Sequence, residues 1–185
     1  MIKKIFFIFI FFIIFEQGKA DEDFMILKLK DGDVVIELYS EIAPKHVERF
    51  KLLAKEKKYD GVVFHRVIDG FMAQTGDVQF GNSSSENFDL RKAGTGGSDL
   101  PDLKQEFSNI PHLRGTLSMA RSSDPNSANS QFFICFQPAP FLDRQYTVFG
   151  KVVEGMEYVD QIKRGEQNQN GSVENPDKII SFKSL

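Results

Sequence analysis

The sequence predicts a mainly β domain built on an antiparallel sheet closed on itself. Three observations carry this. Short runs of β-branched and aromatic residues recur along the chain, bounded by Gly, Asn, Asp and Ser. Only two segments show helical spacing. No regular strand–helix–strand alternation, the mark of a parallel sheet, is present. This pattern leaves a barrel and a sandwich both open.

The elements follow in order. Met25 to Lys30 and Val34 to Tyr39 flank Asp31-Gly32-Asp33 and read as an opening β-hairpin. Pro44 suits the first turn of a helix. Val47, Phe50, Leu53 and Ala54 recur at helical spacing behind it, and a stop is expected near Tyr59-Asp60-Gly61. Val63 to Ile68 reads as a strand, with Phe64, Arg66 and Ile68 on one face and Val63, His65 and Val67 on the other. From Gln79 to about Leu103 the chain is rich in Gly, Ser, Asn and Asp and reads as a long surface loop. Gly115 to Ala120, Ser130 to Phe136 and Thr147 to Val153 read as strands. Met156, Val159 and Ile162 mark a second short helix. Gln167 to Pro176 is a polar loop, and Lys178 to Phe182 a last strand. No internal repeat is seen.

The first twenty residues are a separate object. Lys3 and Lys4 form a basic head, Ile5 to Phe15 is an unbroken apolar run, and Gly18-Lys19-Ala20 supplies small residues for cleavage. This is the pattern of a secretory signal peptide, residues 1–20, removed after Ala20. A membrane span needs about 20 apolar residues, so no stable membrane anchor is expected. No Cys follows the run, which argues against lipid attachment. Residues 21–185 then form one domain, long enough for a real core.

Composition excludes some functions. The net charge is −3, and −5 once Lys3, Lys4, Lys19 and Glu16 are removed. A mildly acidic chain lacks general affinity for nucleic acid or anionic membrane. Cys135 is the single cysteine, so the monomer has no internal disulfide. It lies in an apolar run and reads as a buried thiol. No heptad or apolar helix suggests assembly, and a monomer is expected.

The residues that carry chemistry fall in two segments. One is Phe64-His65-Arg66-Val67-Ile68-Asp69-Gly70-Phe71-Met72-Ala73-Gln74-Thr75-Gly76-Asp77. The other is Gly115-Thr116-Leu117-Ser118-Met119-Ala120 with Ser130-Gln131-Phe132-Phe133-Ile134-Cys135. Each sets single polar groups among large apolar ones. Alone, Arg66 in an apolar strand reads as an ion-paired surface residue, and Phe71, Met72 and Phe133 read as core.

Taken together, the segments resemble the cyclophilin family of peptidyl-prolyl cis-trans isomerases, over Met25 to Leu185. The resemblance implies a closed eight-stranded antiparallel β-barrel with a helix capping each end. It implies rotation about X-Pro bonds of proline-containing polypeptides, with no cofactor and no metal. Arg66 would be the catalytic arginine and Gln74 would position it or bind the substrate backbone. Phe71, Met72, Phe133 and Leu142 would line the proline pocket, with Ala120, Arg121, Gln131, Phe141 and Tyr146 around it. The backbone at Arg121 would pair with an extended substrate.

The chain departs from the family's common pattern in places. Phe141 stands where many members have Trp, Tyr146 where His is usual, and Arg121 where Asn is frequent. The loop Ser122 to Ala128 is one residue longer. Exported bacterial members commonly share such changes and bind cyclosporin weakly, so weak cyclosporin binding and a periplasmic location are expected.

Other readings are weaker. His46, His65 and His112 lack metal spacing, and a helix-surface His46 and a strand His65 read as structural. Ser118, His65 and Asp69 form a nominal hydrolase set without a nucleophile-elbow pattern. Asn82-Ser83-Ser84 and Asn170-Gly171-Ser172 match glycosylation sequons of the kind that arise by chance in Asn-rich loops. Two functions remain: an isomerase assisting the folding of exported proteins, or a proline-peptide binding module acting as a holding chaperone with incidental turnover.

Overall fold

The computed structural model describes residues 23–86 and 88–185; the signal peptide expected at residues 1–20 lies outside them. The elements run β1 (Phe24–Lys28), β2 (Asp33–Leu38), α1 (Pro44–Lys55), β3 (Arg66–Ile68), β4 (Met72–Thr75), β5 (Thr116–Met119), β6 (Phe132–Cys135), β7 (Val148–Glu154), α2 (Met156–Val159) and β8 (Ser181–Ser184). Single 3-10 turns lie at Pro140–Leu142 and Gln167–Gln169.

One sheet joins the strands in the order β3-β4-β6-β5-β7-β2-β1-β8, and every pairing is antiparallel. It curls into a half-barrel rather than the closed barrel expected. The edge strands β3 and β8 do not pair with each other. Instead Val63 and Lys178 form an isolated bridge, and the Ile179 amide donates to the Val62 carbonyl. Closure fails because β3 spends its outer edge on another segment. Val67 exchanges hydrogen bonds with Gly165 and Gly171, and His65 accepts from Val173. A loop therefore occupies the edge that a neighbouring strand would need.

The core sits on the concave side. Phe50 of α1 meets Tyr59, Phe132, Phe149 and Phe182 at ring-centroid distances of 5.1–5.4 Å. Full burial of each such ring contributes about 1.5–3 kcal/mol, and edge-to-face pairing adds about 0.5–1.5. The helix buries His46, Val47, Arg49, Phe50, Leu53 and Ala54, one face at 3.6-residue period. Pro44 opens it as expected, but Ala43 offers no side-chain cap. Glu106 supplies one from across the fold, accepting the Lys45 and His46 amides at 3.1–3.2 Å. It also meets His46 Nδ1 at 2.6 Å. His46 is thus fully buried, not on the helix surface. The second helix, α2, packs against β2 and buries Val159.

Local boundaries shift for local reasons. The first helix ends at Lys55, before Tyr59, because Lys57 turns at φ +58°. The expected Val63–Ile68 strand keeps only its last three residues in the ladder. Phe64 leaves the Arg66 face and joins Val67 in the core. The last strand begins three residues later than expected, since Lys178 is taken by the bridge to Val63. The fourth strand was not anticipated; Gly70 at φ +68° turns the chain from β3 into it.

Candidate active site

Register builds the site. Arg66 lies opposite Gln74, Gln74 opposite Phe133, and Phe133 opposite Ser118. Side chains directly across an antiparallel sheet share a face, so these four form one row across β3, β4, β6 and β5. Ile68, Met72 and Cys135 form the adjacent row. Their strand neighbours Val67, Ala73, Phe132 and Ile134 point the other way, into the main core. Period-2 alternation thus divides β4 and β6 between two clusters. The second contains Met72, Phe133, Cys135, Ala139 and Leu142, with Ile68, Phe71, Ala120 and Tyr146 packed against it.

This second cluster floors a groove of about 450 Å³. Met72, Phe133 and Leu142 are buried in its floor, while Phe141 on its rim is 63% exposed and packs 5.4 Å from the Phe71 ring. Arg66, Gln74, Ala120, Arg121 and Tyr146 complete the walls. Gln131 lies in a neighbouring polar cavity of about 410 Å³. The two cavities share Gln74, Ala120 and Arg121. The fold therefore brings together the residues named from the sequence for the proline site, across segments up to eighty residues apart.

Arg66 is half-buried, and no carboxylate pairs with it among the described residues. Burial pulls its guanidinium below the ordinary value, yet an arginine stays cationic. Nη1 donates to Gln74 Oε1 at 3.2 Å and contacts Met72 Sδ at 3.9 Å. Nε donates to the Asn170 carbonyl and Nη2 to Asn170 Oδ1, both at 3.0 Å. A second Nη2 hydrogen has no partner among the described residues.

A relay holds Gln74 in turn. Its Nε2 donates to Gln131 Oε1 at 3.0 Å, and Gln131 Nε2 donates to the Gly94 and Gly96 carbonyls at 3.0 and 2.8 Å. The loop bearing those carbonyls is tied by Asp77, which is fully buried. Asp77 accepts the amides of Gln79, Phe80, Gly94 and Gly96 at 2.8–3.0 Å. The loop lies close to His65, 2.6 Å from where a Cβ on Gly94 would stand. Gly94 also sits at φ +96°, where side chains are strained.

Three residues with structural parts in this arrangement were not singled out for it from sequence: Asn170, Asp77 and His112. Asn170 showed only as a sequon, and its side chain is engaged by Arg66. His112 stacks on Phe133 with centroids 6.2 Å apart, meets Ser118 Oγ at 3.0 Å and Asp143 Oδ1 at 2.9 Å. It ties the pocket floor to the turn that carries Leu142. The hydrolase set named from sequence does not assemble, since Asp69 pairs with Arg164 and Ser118 with His112. Ser118 is also fully buried. Cys135 is buried as expected, and desolvation pushes its thiol up to about 12. Among the described residues no group of His, Cys, Asp or Glu has the arrangement of a metal site.

A cationic fork thus stands beside a small apolar pocket, on the face of the curled antiparallel sheet away from the main core. The chain belongs to the cyclophilin-type peptidyl-prolyl cis-trans isomerase family, whose model matches residues 24–184. It is 62% identical to a probable peptidyl-prolyl cis-trans isomerase of Brucella suis over 159 residues, 86% of this chain and 81% of that one. A peptidyl-prolyl cis-trans isomerase-like 3 of Gallus gallus is 42% identical over 142 residues, 75% of this chain and 80% of the relative. The fold matches cyclophilin AquaCyp293 from Hirschia baltica with TM-score 0.74 and 27% identity, over 89% of this chain and 74% of that one. It also matches a Cryptosporidium parvum cyclophilin-type isomerase solved in the presence of the dipeptide Ala-Pro. There the TM-score is 0.74 and the identity 26%, over 88% of this chain and 98% of the other.

Proposed function

We propose that this chain isomerises X-Pro bonds in exported client polypeptides, with Arg66 as its catalytic residue. The supporting observation is the Arg66 guanidinium in the wall of the groove floored by Met72, Phe133 and Leu142, fixed on both sides by Gln74 and Asn170, with one Nη2 hydrogen unpaired among the described residues.

The barrier to be lowered is the partial double bond of the imide, about 18–20 kcal/mol. In the twisted state the proline nitrogen loses conjugation and regains a basic lone pair. A donor aimed at that nitrogen binds the twisted state better than either planar one. An acceleration of ~10⁵ asks for about 7 kcal/mol. The pocket holds the ring, and the Arg66 fork meets the lone pair. Its pre-set geometry means little reorganisation accompanies rotation. No proton is transferred and no covalent bond changes.

Residues 1–20 serve as a signal peptide in this reading, cleavage after Ala20 leaves Asp21 as the first residue, and the periplasm is the working compartment. The supports are the Lys3-Lys4 head and the apolar run that follows. Intact-mass measurement on protein from the native compartment tests it; a chain still beginning at Met1 overturns it.

The enzyme reading is tested by a proline-isomerisation assay on wild type beside Arg66→Ala. Loss of at least about tenfold, 1.4 kcal/mol of barrier, is expected in a folded variant. Near-normal rates in the folded variant would contradict the Arg66 mechanism, and absence of turnover by the wild type would leave the chain a proline-peptide binding module.

A further inference from the structure

We propose that Arg121 makes this isomerase prefer substrates with a carboxylate side chain within two residues of the proline. The proposal rests on the isomerase reading of the same groove and adds a substrate class to it.

Arg121 stands in the wall shared by the proline groove and the polar cavity beside it. A chain seated with its proline in one and a neighbouring residue in the other passes over this guanidinium. The head is pinned. It lies 4.4 Å from the Tyr146 ring centroid. Nε and Nη2 donate to the Gln145 carbonyl at 3.2 and 2.9 Å, and Nη1 donates to the Ser122 and Ser123 carbonyls at 2.8 and 3.3 Å. One Nη2 hydrogen remains without a partner among the described residues, pre-oriented for an acceptor without further loss of side-chain freedom.

Its charge is not neutralised. Every acceptor is a carbonyl, and among the described residues no carboxylate pairs with Arg121 or with Arg66. The proline groove is walled by no Asp or Glu, and its charged side chains are these two arginines; the adjoining cavity carries one carboxylate, Asp102, which accepts from Asn129 Nδ2 at 2.9 Å. A locally cationic groove in a chain of net charge −3 attracts anionic segments and repels cationic ones. The Tyr146 ring stacked on the guanidinium belongs to the same groove wall.

The test measures kcat/KM at low salt on matched peptides carrying Glu, Ala or Lys two positions before the proline, and on a second set with the substitution two positions after. Partly exposed charge pairs give about three- to tenfold between Glu and Lys. Raising salt to 1 M, where the Debye length falls to about 3 Å, should shrink the ratio. Arg121→Gln should bring it below twofold, and Arg121→Lys should keep part of it. A merely structural role would slow all three peptides alike in both variants. A wild-type ratio below twofold in both sets, or a ratio that persists in Arg121→Gln, overturns the proposal. If wild type fails to turn over the Ala peptide, the isomerase reading fails instead. NMR titration of the Glu and Lys peptides then decides the preference by affinity, and equal affinities overturn it.

Discussion

Arg66 and Asn170, 104 positions apart, are joined twice: Nε to the Asn170 carbonyl and Nη2 to its Oδ1, each at 3.0 Å. The join exists because the sheet is open. The loop carrying Asn170 lies along the free edge of β3, where Arg66 bridges Ser172. Asn170 adopts φ +55°, a conformation Asn tolerates and most residues do not.

Asn170→Gly keeps the backbone carbonyl and the permitted φ but deletes Oδ1. It should lower kcat/KM roughly fivefold, for about 1 kcal/mol of lost hydrogen bonding to a charged group. The melting temperature should change little, since the side chain is exposed. Steady-state kinetics beside thermal unfolding checks this; unchanged kcat/KM would show that Gln74 alone orients Arg66.

Arg66→Lys should be impaired nearly as much as Arg66→Ala. An ammonium keeps the charge but cannot donate to Gln74, Asn170 and substrate from one rigid plane. Full activity in the lysine variant would show that charge suffices.

Asp77→Ala should destabilise the fold by about 3 kcal/mol or more. It strands four backbone amides that now share one buried carboxylate. Turnover should fall as well, because the Gly94 and Gly96 carbonyls that hold Gln131 lose their anchor. Urea denaturation with isomerase assay on the folded fraction measures both.

Stability should fall between about pH 6.5 and pH 4. Burial pushes His65 down to about 4, so over this range the unfolded chain binds a proton that the folded one refuses. The stability is complete above the unfolded value near 6.5 and is lost as pH falls toward the folded one, about 3 kcal/mol for His65. Burial lowers His46 and His112 too, which adds to the slope. Urea midpoints across this range should flatten in His65→Gln, and an equal slope in that variant would assign the loss to other groups.

Phe141→Trp should tighten cyclosporin binding by several-fold. The exposed rim ring keeps an apolar surface but has no N–H to donate, and one such bond is worth about 0.5–1.5 kcal/mol. Turnover should change less than affinity, since the Arg66 fork is held by Gln74 and Asn170 and not by Phe141. Calorimetric titration of both proteins decides, and equal affinities remove Phe141 as the determinant.

By itself the sequence determined what short-range pattern can encode. Helical spacing of Val47, Phe50, Leu53 and Ala54 marked α1, and alternation with turn residues marked the β1–β2 hairpin. The order of Arg66, Phe71, Met72, Gln74 and Phe133 marked the groove. Tertiary structure decided the rest. It set the sheet open and chose which face of β4 and β6 enters which cluster. It also placed Asn170 on Arg66, Glu106 on the first turn of α1, and Asp77 beneath the loop that holds Gln131. Each of these rests on a few hydrogen bonds whose distances depend on how distant strands register. A contact between residues 104 positions apart leaves no periodicity in either segment, so it becomes visible only when the chain has folded.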